Sequence, residues 1–187
     1  VSLATTVFFL VSGAVGVIVA RLIVVHYVRR VIVGGGVLGS LSLVMLGRVQ
    51  QQWQLYLVYA VFAVGFAAAG LVPVTTVVTR WFHVRRSVAL SVASTGLSAG
   101  GVLLTPAAKW LHDERGLEAG TPWLALVWVL GTVPFALWLI RPDPAAMGWM
   151  PDGERAVSGA VVAAPAGVAF DDAVHSRFFV AVTAGYV

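Results

Sequence analysis

The sequence predicts an all-α fold, a polytopic bundle of transmembrane helices, and three observations carry that prediction. Charged residues occupy 11% of the 187 positions and hydrophobic residues 59%. Long apolar runs recur along the whole chain, and the basic residues gather in the short stretches between them. A soluble domain carries about 25% charged residues, because it must coat itself with groups that water can solvate. Lipid requires no such coat.

A spanning helix needs about 20 predominantly apolar residues. The first run, Val1–Ala20, is uncharged throughout. The second, Val31–Gly47, has 17 residues and sits near the lower limit for a span. Leu55–Thr79 is long enough to cross with a tilt. Ser87–Ala108 and Trp123–Ile140 are the fourth and fifth, and a sixth run begins at Phe178. Strands are excluded on length and pattern. A membrane strand takes about 9–11 residues and alternates apolar with polar positions, whereas these runs are apolar nearly all round. Pro73, Pro106 and Pro134 each remove a backbone donor, and the expectation is a kink or a helix end at each.

The connections set an orientation. If the runs alternate across the bilayer, one side holds nine basic residues (Arg21, Arg29, Arg30, Arg80, Arg85, Arg86, Arg141, Arg155, Arg177) and the other three (Arg48, Lys109, Arg115). The positive-inside rule places the richer side in the cytoplasm. The expected location is therefore a multi-pass position in a plasma (cytoplasmic) membrane. The formal charge of +4 is explained by this topology signal, so nucleic acid is not an expected partner. No cysteine is present, which rules out disulfides and thiolate metal sites. The chain opens and closes within apolar runs and is read as a fragment; no basic leader marks a signal peptide.

Several short motifs have simpler readings than their patterns suggest. Gly34, Gly35, Gly36 and Gly39 form a literal GxGxxG, but residues 1–112 contain no Asp or Glu to hold a ribose. They read as a helix face that permits close packing. Gly96-Leu97-Ser98-Ala99-Gly100 matches GxSxG, yet Ser98 lies midway along an apolar run rather than on a strand–turn–helix elbow. Gly96 and Gly100 read as a GxxxG packing face, while Ser94 and Ser98 either bond back to their helix or border a polar path. The four histidines lack paired metal-ligand spacing. Nothing points to an enzyme, a metal or a cofactor. Trp53, Trp81, Trp110, Trp123 and Trp138 fall near span ends, as interfacial anchors do. No carboxylate or histidine lies deep in a predicted span, so a proton or ion relay has no evident residue here.

Three connecting segments supply a resemblance. Arg80-Trp81-Phe82-His83-Val84-Arg85-Arg86-Ser87-Val88-Ala89 resembles the RWFxxRRGxA-like loop after the fourth helix of major facilitator transporters. Pro144-Ala145-Ala146-Met147-Gly148-Trp149-Met150-Pro151-Asp152-Gly153 is similar to the PxxxGxxPDG-like segment after their sixth helix. The stretch from Gly16 through Arg21 to Arg29-Arg30 resembles the loop between helices two and three, although Val24 or Val25 stands where the family carries an Asp, and Tyr27 where it carries a Gly. The likeness is closest to the branch of oxalate/formate antiporters and monocarboxylate porters.

The resemblance implies residues 1–141 as helices two to six of an N-terminal lobe, 142–176 as a cytoplasmic central loop, and 177–187 as the start of helix seven. It also implies a secondary transporter of a small solute, working by alternating access between two halves, with a small organic anion as the substrate class and a coupling ion as a further partner. The alternatives are a non-transporting membrane scaffold or assembly protein, or a truncated, inactive transporter. By analogy, Thr5, Phe62, Phe66, Ser94 and Ser98 are expected to border the substrate cavity. Arg21, Arg29, Arg30, Arg80, Arg85 and Arg86 are expected to form the cytoplasmic gate.

Overall fold

The computed structural model describes residues 2–25, 28–141 and Ser176. The chain divides into two compact units, Val1–Arg155 and Ala156–Val187. All the helices described belong to the first. The sixth run and the segment after Arg141, Ser176 apart, lie outside the described residues.

Five helices follow one another: α1 (Ser2–Val25), α2 (Val28–Leu46), α3 (Gln52–Ala69), α4 (Leu71–Trp81) and α5 (Arg86–Trp138). No strand occurs among the described residues. Four helical stretches, Leu3–Ile23, Val28–Leu46, Gln52–Trp81 and Arg86–Trp138, are long and apolar enough to cross a membrane. A helix bonds most of its own backbone amides, which is the condition for spanning hydrocarbon.

The run expected over Leu55–Thr79 is interrupted. Gly70 leaves the helical region (φ −92°, ψ −135°) between α3 and α4. A Cβ at Gly70 would stand 2.5 Å from the Phe66 carbonyl oxygen, so a side chain does not fit. Pro73 follows in the first turn of α4, where its missing N–H costs least.

The fourth and fifth runs join into one helical stretch of 53 residues, broken at a single point. Gly116 has φ +72° and ψ 174°, and every other residue of α5, Pro106 and Pro134 included, keeps helical backbone angles. The two arms fold back on each other at this glycine. A Cβ on Gly120 would lie 3.4 Å from the carbonyl oxygen of Leu111. In a continuous helix those residues would be separated by roughly 13 Å along the axis. The polar segment expected as an outer loop is therefore helical on both sides of one turning residue. Lys109, Glu114, Arg115 and Glu118 explain this, since all are good helix formers. The guanidinium of Arg115 lies 5.1 Å from the centre of the Trp123 ring, which bridges the turn.

The packing is that of a membrane bundle. Many buried positions are small, among them Ala63, Ala67, Ala125, Ala136, Gly35 and Ser42. Large apolar side chains face outward instead, with Val102 73% and Trp138 81% exposed. Water would penalise that surface heavily, and lipid does not. A cluster of Val19, Ile23, Val28, Ile32, Ala68 and Ala136 ties α1, α2, α3 and α5 together.

α2 and α3 approach closely. A Cβ on Gly35 would stand 2.8 Å from the Gly65 carbonyl oxygen, and one on Gly65 would stand 2.6 Å from the Gly39 amide nitrogen. The two backbones thus touch where their glycines face. The buried Ser42 hydroxyl donates to the Val58 carbonyl at 2.6 Å and closes the same seam one turn further on.

Candidate functional site

Four rings meet between α1, α3 and the second arm of α5. Phe8 lies 5.9 Å from Phe62 and 5.4 Å from Phe66, centre to centre. Trp128 lies 5.5 Å from Phe62 and 6.3 Å from Phe66. These spacings fall in the range where aromatic pairs attract beyond their simple burial. Trp128 is fixed by its polar edge as well, since its indole N–H donates to the Gly36 carbonyl at 3.1 Å. That contact exists because α2 has no side chain in the way: a Cβ on Gly39 would stand 2.6 Å from the same indole nitrogen.

Beside this cluster lies a cavity of about 280 Å³ between α1, α2 and α3, with walls that include Thr5, Phe8, Ser42, Leu46, Val58 and Phe62. No ionisable side chain lines it apart from Tyr59. Ser42 already spends its hydrogen on Val58. The cavity is suited to an apolar group held by dispersion, and it contains nothing that moves a proton or balances a carboxylate.

Of the residues expected to border a substrate path, Thr5 and Phe62 share this cavity, and Phe66 stands behind it in the ring cluster. Ser94 and Ser98 lie apart, exposed on the first arm of α5. Trp128 was missed by sequence reasoning. Its signal was position, because it is a tryptophan well inside a span, where an interfacial anchor has no role.

The expected gate residues occupy one end of the bundle. Arg21 is exposed near the end of α1. Arg29 and Arg30 open α2, with Arg29 half-buried and its Nε enclosed without a hydrogen-bond partner. Arg80 is half-buried in the last turn of α4. Arg85 caps the start of α5 and Arg86 begins it, both exposed. The Trp81 indole N–H donates to the Arg141 carbonyl at 2.9 Å and ties the ends of α4 and α5 together at this level. Of the glycines, Gly35, Gly36 and Gly39 are buried against neighbours. A Cβ at Gly34, Gly96 or Gly100 would meet no atom within 4 Å.

Helices long and apolar enough to cross a membrane, with charge gathered toward their ends, define a polytopic integral membrane protein. The chain belongs to the Major Facilitator Superfamily, whose family model matches residues 1–186. Among curated proteins it is similar to the MFS-type transporter hasB of Aspergillus fumigatus, with 32% identity over 113 residues, 60% of this chain and 25% of that protein. It is similar to monocarboxylate transporter 11 of Mus musculus, with 34% identity over 127 residues, 63% of this chain and 27% of that protein. It is also similar to the MFS transporter asaE of Aspergillus flavus, with 34% identity over 137 residues, 70% of this chain and 30% of that protein. The chain thus spans between a quarter and a third of the length of these relatives. No solved structure shows significant similarity to it.

Proposed function

We propose that the protein containing this chain is a secondary active transporter that moves a small organic anion, of the monocarboxylate kind, by alternating access. The observation that carries the reading is the family match over residues 1–186, to which the relatives named as transporters add support. The substrate class rests on the printed name of the mouse relative and on the resemblance of the connecting segments. On this reading residues 1–141 are helices two to six of one lobe in a plasma membrane, with the basic connections in the cytoplasm. Thr5, Phe62 and Phe66, with Ser94 and Ser98 on a separate helix, border the solute path. They are uncharged, so a cation for the carboxylate comes from residues beyond these helices.

Reconstitution tests this directly. Full-length protein in vesicles preloaded with unlabelled lactate or pyruvate is expected to accumulate external labelled monocarboxylate transiently. Vesicles that show counterflow with no monocarboxylate would remove the substrate class, and counterflow with no solute at all would remove the transporter reading. The arginines at the bundle's end act in exchange between conformations. R29Q/R30Q is expected to lower the maximal rate by about tenfold while leaving the half-saturating concentration within about twofold, since the change lies in a conformational step. A raised half-saturating concentration at constant rate would place these residues in binding instead.

A further inference from the structure

We infer that the cavity between α1, α2 and α3 seats the tail of the transported solute, and that this tail is an aromatic ring. The substrate class is then an aryl-bearing monocarboxylate, with lactate and pyruvate as weak substrates. The inference rests on the proposed transport of a monocarboxylate past Thr5 and Phe62, and it adds which end of the solute these helices take.

The walls fix the orientation. Phe8 and Phe9 of α1, Leu43 and Leu46 of α2, and Val58 and Phe62 of α3 line the cavity. No arginine, lysine or histidine does. The Ser42 hydroxyl spends its hydrogen on the Val58 carbonyl, at 2.6 Å. A carboxylate drawn in among these side chains would lose its water and gain no cation, which is strongly unfavourable. The charged head therefore stays outside, and the apolar end enters.

Size sets the tail. The cavity measures about 280 Å³. An apolar protein cavity of about 150 Å³ is enough to hold benzene, so this one takes a ring with a short linker. Lactate and pyruvate each bring a single methyl group, which covers little of these walls. Each further methylene moved from water onto such walls strengthens binding about fourfold.

Three of the lining side chains are phenylalanines, and two of them are braced. Phe8 lies 5.4 Å from Phe66, and Phe62 lies 5.5 Å from Trp128, centre to centre. Phe66 and Trp128 are not themselves part of the lining. Trp128 is in turn tethered to the Gly36 carbonyl at 3.1 Å. Rings held in this way form a wall before the solute arrives, so little ordering is left for the binding step. A ring entering beside them also gains the attraction between aromatic pairs that a plain alkyl chain lacks.

The test uses the full-length protein in lipid nanodiscs and three 2-oxo acids that share a head and differ in tail: pyruvate, 2-oxohexanoate and phenylpyruvate. Binding is read by isothermal titration. The wild type is expected to hold phenylpyruvate at least about tenfold more tightly than pyruvate, and about threefold more tightly than 2-oxohexanoate. Leu46→Trp, which fills the cavity from α2, is expected to bring phenylpyruvate within about threefold of pyruvate while pyruvate binds as before. Leu46→Ala, which enlarges the cavity, is expected to make the bulkier indole-3-pyruvate the better ligand; this gain does not arise from misfolding, and it serves if Leu46→Trp does not fold. Pyruvate and phenylpyruvate bound alike by the wild type overturn this inference and leave monocarboxylate transport standing. Binding of none of the three acids overturns both. A tail advantage that survives Leu46→Trp in full overturns the assignment to this cavity. Binding of 2-oxohexanoate as tight as that of phenylpyruvate overturns the ring and keeps an apolar tail.

Discussion

Two glycine pairs four apart in this chain, Gly35/Gly39 and Gly96/Gly100, have opposite outcomes. In α2, Gly35 and Gly39 meet Gly65 of α3 so closely that backbone touches backbone. In the first arm of α5, Gly96 and Gly100 have no atom within 4 Å of where a Cβ would stand. The spacing is the same in both, so spacing alone does not make a helix contact. The partner decides. Gly65 supplies α2 with a second bare backbone, whereas α5 presents its glycines to a surface where Val92, Leu97 and Val102 are also exposed.

Four substitutions sharpen that contrast, and the largest effect is expected at the seam. Gly65→Leu places a side chain where Gly39's backbone stands, and insertion into packed space costs about 1–3 kcal/mol or more. The full-length protein should melt several degrees lower in detergent. Gly96→Leu should leave that melt unchanged within about 0.5 kcal/mol. A large drop at Gly96 would mean that this arm packs against the rest of the protein as tightly as α2 packs on α3.

A smaller effect is expected at Trp128, where Trp128→Phe keeps a ring against Phe62 and Phe66 but removes the donor to Gly36. The loss is about 1 kcal/mol, read as a shift in the denaturation midpoint together with a weakened indole signal. Ser42→Ala is the mildest of the three destabilising changes. Hydrogen bonds within membranes average about 0.6 kcal/mol, and a cost above about 2 kcal/mol would show that the Ser42–Val58 bond aligns the seam rather than decorating it.

The helical class and the long apolar stretches were legible in the sequence, because hydrocarbon imposes length and apolarity on every residue of a span. Helix ends were less legible. Pro73 marks the break beside Gly70, but Gly116 sits among good helix formers, and nothing local distinguishes it from a glycine that packs inside a helix, such as Gly36. The tertiary neighbours make that difference. The same holds for the ring cluster. Phe62 and Phe66 declare a shared face by their spacing, but their partners Phe8 and Trp128 lie 54 and 66 positions from Phe62 in the chain. The proposed solute path drew on residues from two surfaces, since analogy assigns helices to a path without saying which face of each helix turns toward it.

The reversal at Gly116 has a mechanical meaning. Two long arms joined through one residue have no slack between them, so neither slides along the membrane normal without pulling the other. The first arm bears Ser94 and Ser98, and the second bears Trp128, which is wedged into the glycine notch of α2. A push on one is delivered to the other as a displacement. On the proposed rocking reading, such a tight coupling would make the pair of arms a single lever, with its fulcrum where the indole is seated.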